Sequence, residues 1–474
     1  MDFKQKLVCA IGLLSLCSAL PAKAQSIPTC KAELDREITK IVNSNSFKRS
    51  RWGIAIRDLD TSQTLYELDS DKFFIPASTS KLLTTAAALD ALGEDFRITT
   101  PIYATGELPN LRTLRIAGRG DPTLTTESLR IMVRQLKSLG IASVEELILD
   151  DNYFAPPFRN PTWEWTDSYY YYAPVVNSLI LDENTARLTL FSTKVGQSVE
   201  LQWSDDSANQ WIVFNDAVTI SANAEYTIEV DGVLSQPILN IRGELPQNKT
   251  QDVWDLAIPN PEEYFLATFE SLLAEERIGV TQANIPTAIY IPEERIITQI
   301  YSPPLKELIG EINRESNNIY AEAILKILAK ELNSGDVVAA LENRLNVLGL
   351  DGDSYYLVDG SGLSRHNLIT PKALADVLEI MSRHERSQSW FDSLAVAGVN
   401  GTLKNRLQQT ELANNLRGKT GSLSGTITLA GYVELPKRNK LAVVILVNNF
   451  DDKNRIARQA MDEIILLLAE NKNC

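Results

Sequence analysis

Histidine is nearly absent from this chain, which has only His366 and His384 among 474 residues. A Ser-His-Asp catalytic triad therefore has little to draw on. A histidine-rich metal site is equally unexpected, because imidazole is the most common nitrogen ligand of zinc and related ions. We expect no metal and no cofactor, and we look for catalysis that does not use histidine.

Cysteine is also scarce, with four residues in the chain. Cys9 and Cys17 fall in an apolar N-terminal stretch, which leaves Cys30 and Cys474 near the two ends of the remaining chain. In an oxidising compartment this pair could form one disulfide that closes a long loop. Two free terminal thiols are the alternative.

Beyond its N-terminus the chain has no long apolar run that predicts a membrane span. Residues 7–20 are apolar, follow Lys4 and Lys6, and precede Ala22-Lys23-Ala24, a pattern typical of a cleaved export signal. We predict a signal peptide over 1–24, with cleavage after Ala24, export to the periplasm and no transmembrane anchor in the mature chain. Lipidation of Cys17 is the alternative, but the bulky Leu16 before it disfavours that reading.

Positive charge is in deficit, since 46 Lys and Arg face 61 Asp and Glu, for a net charge of −15. Binding to nucleic acid or to an anionic membrane by charge alone is therefore not expected.

Three short segments supply what is needed for acyl transfer through a serine ester. At ordinary composition the patterns S-x-x-K and S-x-N each occur about once by chance in a chain of this length. The pattern K-T-G occurs by chance roughly once in ten such chains. A helix cap, a turn and a loop are their structural alternatives. Their order and context favour catalysis, because the first opens a predicted helix, the second precedes one and the third ends a strand. The segments are Ser78-Thr79-Ser80-Lys81, Ser316-Asn317-Asn318 and Lys419-Thr420-Gly421-Ser422.

The first two segments predict a nucleophile and its proton carriers. Ser78 and Lys81 are three residues apart, so a helix places both side chains on one face. Lys81 can act as a base if burial or a nearby cation such as Lys419 lowers its pKa. Ser316 can relay a proton to the leaving amine. Asn318 can bind the substrate amide and position Lys81.

The third segment predicts a substrate-binding strand edge. Lys419 and Thr420 would face a substrate carboxylate, and Gly421, which has no side chain, would let an extended peptide lie against the strand. The backbone N–H groups of Ser78 and Ser422 are candidates for an oxyanion hole.

The pattern of elements predicts an α/β fold in which residues 25–98 and 289–474 form one discontinuous domain and 99–288 form a β-rich insertion. Three domains in series are the alternative, but they would separate Ser78 from Lys419. The predicted elements are a hairpin over 52–67; helices over 78–92, 126–139, 303–314, 318–332, 336–347, 370–382 and 453–470; insert strands over 185–191 and 225–230; and a β-meander over 415–420, 426–435 and 440–448.

Together with these segments, several longer motifs resemble the serine D,D-peptidases among the penicillin-binding proteins. The resemblance is to the low-molecular-mass class C, D-alanyl-D-alanine carboxypeptidase/endopeptidase family of the penicillin-binding protein 4 type (peptidase family S13). It implies a transpeptidase/β-lactamase-like domain, a sheet flanked by helices, with a large insertion. A class A β-lactamase has a far shorter gap between its first two boxes. The motifs are residues 76–81, 120–122, 149–151, 359–365 and 418–423.

What the resemblance implies is cleavage of D-Ala-D-Ala termini and D,D cross-links of peptidoglycan stem peptides through a Ser78 acyl-enzyme, with β-lactam antibiotics as acylating inhibitors. It makes Asp167 a candidate for contacting the side-chain amine of the stem peptide, with a surface turn as the alternative. Arg365 resembles a residue at the rim of the cleft, with a structural ion pair beneath the site as the alternative. A D-amino-acid esterase or amidase, and a catalytically idle wall-binding protein, are the competing functions.

Overall fold

The computed structural model describes residues 27–205, 210–234, 236–436, 438–451 and 454–470. The predicted signal peptide, Cys474 and the side chain of Cys30 lie outside the described residues, and so does the predicted disulfide. No helix in the described ranges is long and apolar enough to cross a membrane.

A six-stranded antiparallel sheet lies at the centre of the fold and joins the two distant parts of the chain. In it, β1 (Arg51–Asp58) from the N-terminal part pairs with β21 (Leu441–Asn448) from the C-terminal part. The predicted hairpin and the predicted C-terminal meander are both present. In spatial order the strands are β18 (Ala395–Val396), β19 (Leu416–Leu423), β20 (Thr426–Val433), β21, β1 and β2 (Thr64–Leu68).

Side chains alternate between two apolar cores on the faces of this sheet. On β21, for example, Val444 belongs to one core and Ile445 to the other, as the two-residue period of a strand requires. One face packs against helices α2 and α5–α9, and the opposite face against α1 and α10. This arrangement confirms the predicted α/β class with a sheet flanked by helices. The helices are α1 (Ile27–Val42), α2 (Lys81–Leu92), α5 (Leu305–Gly310), α6 (Asn318–Glu331), α7 (Val337–Leu348), α8 (Pro371–Ser382), α9 (Ser387–Ser393) and α10 (Asn454–Glu470).

The insertion is mostly β, as predicted, and part of it forms a second α/β unit. Its sheet has the order β14-β5-β4-β3-β15, with parallel pairing of β4 and β14 to β5. Two helices, α3 (Thr126–Ser138) and α4 (Pro261–Glu275), cover it, and only the first was predicted. The strands are β3 (Thr99–Glu107), β4 (Asn110–Ala117), β5 (Ser143–Asp150), β14 (Gly279–Asn284) and β15 (Arg295–Tyr301).

The insertion also extends further along the chain than the predicted boundary at residue 288. Strand β15 lies after that boundary and pairs with β3, so the insert sheet continues to Tyr301. The pairing joins segments about 200 positions apart in sequence, which no local pattern reveals.

A small all-β unit is nested inside the α/β part of the insertion and has its own apolar core. The prediction of a strand over 185–191 is correct, whereas the strand predicted over 225–230 begins later, at Glu229. Its strands are β6 (Thr185–Phe191), β7 (Glu200–Trp203), β8 (Ile212–Asn215), β9 (Val218–Ile220), β10 (Glu229–Gly232), β11 (Ile238–Arg242), β12 (Glu244–Pro246) and β13 (Gln251–Ala257). The short pair β16 (Tyr355–Tyr356) and β17 (Leu368–Ile369) lies outside the insertion.

Candidate active site

Ser78 lies in a tight 3-10 turn over Ala77–Ser80, directly before the first residue of α2. The carbonyl of Pro76 accepts hydrogen bonds from the hydroxyls of Thr79 (2.7 Å) and Thr428 (2.8 Å), which fixes the turn to strand β20. Ala77 has a φ of +47°, a conformation that costs energy for a residue with a side chain. The predicted helix over 78–92 is therefore α-helical only from Lys81, and the residue before the nucleophile is strained.

Lys81 is fully buried and its ammonium nitrogen has three acceptors. Nζ donates to Ser78 Oγ (3.0 Å), to Asn318 Oδ1 (2.6 Å) and to the carbonyl of Ser361 (2.6 Å). Burial lowers the pKa of Lys81 to about 7, against the opposing charges of Asp359 and Glu322. A lysine with such a pKa is partly neutral at physiological pH and lies within reach of the serine hydroxyl, as a general base must.

The second segment joins the short π turn over Glu311–Glu315 to helix α6. Ser316 has a left-handed φ of +68°, and Asn317 caps α6 by accepting from the N–H of Tyr320. The side-chain amide of Asn318 donates to the carbonyl of Tyr172 in the insertion (2.7 Å). Because its nitrogen is held there, the oxygen of the Asn318 amide faces Lys81.

Lys419 is the second buried lysine, and it lies on β19 opposite Ser316. Its Nζ donates to Ser316 Oγ (2.8 Å) and to the carbonyl of Thr420 (2.7 Å). Burial and the nearby Lys81 both lower the pKa of Lys419, while Glu315 acts in the opposite sense. The structure thus brings together all five predicted catalytic side chains, in the pairs Lys81–Ser78, Lys81–Asn318 and Lys419–Ser316.

Strand β19 passes directly behind the nucleophile at Gly421. A Cβ atom on Gly421 would lie 2.7 Å from the backbone nitrogen of Ser78 and 2.9 Å from the Cβ of Ala77, closer than real side chains approach. Strand β18 pairs with the edge of β19 only as far as Gly418. The free edge of β19 beyond that point carries the half-buried Thr420 and the exposed Ser422.

A cleft of about 520 Å³ opens above these groups, between the catalytic helices and the insertion. Ser78, Ser316, Asn318 and Ser422 line its floor, and residues of the insertion line the facing wall: Glu164, Asp167, Tyr171, Tyr172 and Glu183. This volume is in the range of pockets that hold a small ligand.

Asp167 and Arg365 both line this cleft. Asp167 is half-buried, and its Oδ1 accepts a hydrogen bond from the hydroxyl of Tyr172 (2.9 Å). Arg365 forms an ion pair with Glu164 (2.8 Å) and donates to the carbonyl of Ser424 (3.0 Å). Arg365 lies at the rim of the cleft and links Glu164 of the insertion to Ser424, the residue that follows β19.

Sequence reasoning assigned no role to the loop 359–364, which supports the site from behind. Asp359 accepts hydrogen bonds from the backbone of Gly362 and Ser364, and its Oδ2 also accepts from the indole N–H of Trp163 in the insertion (3.0 Å). Gly362 has a φ of +78° and packs so closely on Ala77 that any side chain would collide with the Ala77 carbonyl. The run Asp359-Gly360-Ser361-Gly362 was the available signal, because closely spaced glycines mark a tight backbone approach.

Within the described residues, no cluster of three or more His, Cys, Asp or Glu side chains has the geometry of a metal site. The candidate acid–base groups next to Ser78 and Ser316 are the two buried lysines, which donate hydrogen bonds to these serine hydroxyls.

Comparison with known proteins identifies the family. Residues 34–470 match the model of the D-Ala-D-Ala carboxypeptidase 3 (S13) family. The chain belongs to this family. It is a serine-type D-Ala-D-Ala carboxypeptidase, and the resemblance inferred from the sequence motifs is confirmed.

Individual relatives agree with this assignment. The chain is 29% identical to a D-alanyl-D-alanine carboxypeptidase of Actinomadura sp. (strain R39), over 96% of this chain and 88% of the relative. Among solved structures it resembles penicillin binding protein 4 of Haemophilus influenzae, with a TM-score of 0.81 and 24% identity over 91% of this chain and 98% of the other. A complex of that protein with a β-lactam matches with a TM-score of 0.76. At this identity the structural likeness shows the fold.

Proposed function

We propose that Ser78 is the nucleophile of this carboxypeptidase and attacks the carbonyl between the two terminal D-alanines of a peptidoglycan stem peptide. The observation that carries the proposal is the hydrogen bond between Ser78 Oγ and the buried Lys81 Nζ. As the Ser78–carbonyl bond forms, the hydroxyl proton passes to neutral Lys81. The negative charge on the carbonyl oxygen is stabilised by the backbone N–H groups of Ser78 and Ser422.

Collapse of this intermediate breaks the peptide bond and needs one proton on the departing amine. Ser316 is the proposed donor, and it recovers a proton from Lys81. Lys419 holds the Ser316 hydroxyl in place from the other side. Water then attacks the Ser78 ester, Lys81 accepts the proton of that water, and the shortened peptide leaves with the serine restored.

The substrate carboxylate is proposed to lie at the free edge of β19, near Thr420 and Ser422 and the ammonium of Lys419. A stem peptide in extended conformation fits there because Gly421 leaves room beside the nucleophile. Asp167, on the insertion side of the cleft, would contact the side-chain amine of the diamino residue, and Arg365 would lie at the rim beside the bound peptide. An endopeptidase reaction on D,D cross-links requires the same chemistry, since only the leaving amine differs.

Such substrates lie outside the cytoplasmic membrane, which agrees with the export signal predicted over residues 1–24. We propose that the protein acts in the periplasm or an equivalent exported location, and that β-lactam antibiotics acylate Ser78.

Mass spectrometry after incubation with benzylpenicillin tests the nucleophile. We expect one stable adduct on the peptide that contains Ser78, and none in a folded Ser78→Ala variant. An adduct on a different residue, or undiminished labelling of the variant, would overturn the assignment. If no adduct forms, the consumption of penicillin separates fast deacylation from an inactive site.

A further inference from the structure

Helix α6 carries a second polar side chain one turn after Asn318. Glu322 is only 5% exposed and lies on the same face of the helix, because residues four apart are neighbours there. Its Oε1 accepts hydrogen bonds from two consecutive backbone N–H groups, those of Gly360 (3.0 Å) and Ser361 (2.7 Å). A buried carboxylate that accepts two such bonds fixes the path of this loop.

The loop segment Gly360–Ser361 also contacts Lys81, the proposed base. The carbonyl of Ser361 accepts from Lys81 Nζ at 2.6 Å, while the N–H of Ser361 is bound by Glu322. On the other side, the hydroxyl of Thr84 donates to the carbonyl of Gly360 (2.7 Å). Glu322 therefore reaches Lys81 through the single residue Ser361, and Thr84 supports the preceding Gly360 without adding charge.

We propose that Glu322 is a positioning residue for the catalytic lysine: it holds the Ser361 carbonyl against Lys81 Nζ and places a negative charge near that nitrogen. This inference rests on the proposed role of Lys81 in acylation. It extends that role to a carboxylate that touches neither substrate nor nucleophile.

The charges around Glu322 determine the direction of the effect. Three ionisable groups face it: Lys81 from α2, Asp359 from the loop, and Lys326 from its own helix. Burial raises the pKa of Glu322, and the negative Asp359 raises it further. When ionised, Glu322 stabilises the ammonium form of Lys81, so removing its charge makes Lys81 lose its proton at lower pH.

Glu322 can exchange its proton with solvent without passing through the substrate cleft. A second cavity of about 410 Å³, large enough for several water molecules, has Glu322 and Asp359 in its wall. It shares no lining residue with the cleft above Ser78. A bound substrate therefore leaves this route open.

The test is the pH dependence of the rate of acylation by benzylpenicillin in the full-length enzyme and three variants. Glu322→Gln removes the charge and keeps an oxygen that can accept both N–H bonds. Thr84→Val loosens the loop and leaves the charge unchanged. Asp151→Asn is the matched control, because Asp151 also accepts two consecutive N–H bonds, from Ser178 (2.7 Å) and Leu179 (3.0 Å), but lies in the insertion.

We expect the acidic limb of the profile to move to lower pH in Glu322→Gln, because the variant lacks the negative charge that stabilises the ammonium form of Lys81. Thr84→Val should lower the rate without moving the limb, and Asp151→Asn should not move it. A limb that stays in place in Glu322→Gln, or that moves equally in Asp151→Asn, overturns the proposal.

Two further outcomes distinguish the role proposed for Glu322 from the role proposed for Lys81. If wild-type acylation has no acidic limb, the proposed role of Lys81 is wrong, and the Glu322 proposal is overturned with it. If Glu322→Gln does not fold, Glu322→Asp keeps the charge on a shorter side chain. The Glu322→Asp enzyme should then be acylated more slowly, with the acidic limb of its pH profile at the wild-type position. A displaced acidic limb would refute the charge effect.

Discussion

Replacement of Asp167 by asparagine is expected to remove a preference for peptides that carry a free side-chain amine. Asp167 is a half-buried carboxylate in the wall of the cleft, and among the residues that the structure describes its side chain accepts a hydrogen bond at one oxygen, from Tyr172. A hydrogen bond from a substrate ammonium to a charged partner contributes about 1.5–3 kcal/mol. Its loss corresponds to a decrease in kcat/KM of roughly tenfold to 150-fold.

The assay compares kcat/KM for two peptides that end in D-Ala-D-Ala and differ only in whether the side-chain amine is free or acetylated. Asparagine has nearly the same shape and can still accept from the Tyr172 hydroxyl, so the fold of the cleft wall is preserved. We expect the loss only for the free amine. Burial raises the pKa of Asp167, so the preference in the wild type should also weaken as the pH falls through the acidic range and this carboxylate takes up a proton.

Glu164→Gln serves as the matched control for Asp167. Glu164 lies in the same wall, but its charge is already paired with Arg365 at 2.8 Å. Its replacement should change the two peptides by similar factors. If Asp167→Asn also lowers turnover of both peptides equally, Asp167 is structural and the proposed contact does not exist.

Three other outcomes are expected. The rate of acylation by benzylpenicillin should fall below about pH 7, since Lys81 with its lowered pKa then takes up a proton; a rate that stays constant through that pH would contradict this. Gly421→Ala should slow acylation by about 100-fold or more, because the added Cβ would press on the backbone nitrogen of Ser78. Gly335→Ala should leave the rate of acylation unchanged in the same assay, because its added Cβ lies in open space. Arg57→Met should lower the free energy of unfolding, measured by urea titration, by about 2 kcal/mol, because it leaves Glu379 and Asp376 without the cation they share. An unchanged midpoint of unfolding would show that these ion pairs contribute nothing to stability.

Much of the site could be predicted from the sequence because its chemistry depends on short spacings. A spacing of three positions puts Ser78 and Lys81 on one helical face, and the requirement for a lowered lysine pKa predicted the burial that is observed. The pairing of the N-terminal and C-terminal parts of the chain could also be predicted, because the chemistry needs Ser78 and Lys419 in one place.

Other features depend on contacts that no local pattern encodes. The return of β15 to the insert sheet and the hydrogen bond from the Asn318 amide to the Tyr172 carbonyl join segments far apart in sequence. The missed helix α4 is different, because its signals were present: Pro261 at the first position and two glutamates in the first turn are typical of a helix start. The surrounding strand pattern outweighed them.

The insertion contributes to the chemistry as well as to the wall of the cleft. The Tyr172 carbonyl fixes the orientation of the Asn318 amide, and the Trp163 indole binds Asp359, whose charge acts on Lys81. Both contacts come from the segment that also carries Asp167. A substrate that shifts this segment on binding would therefore act on the acceptors and charges around the base. The proposed recognition of the peptide side chain by Asp167 and the proposed activation of Ser78 by Lys81 thus depend on the same segment of the insertion.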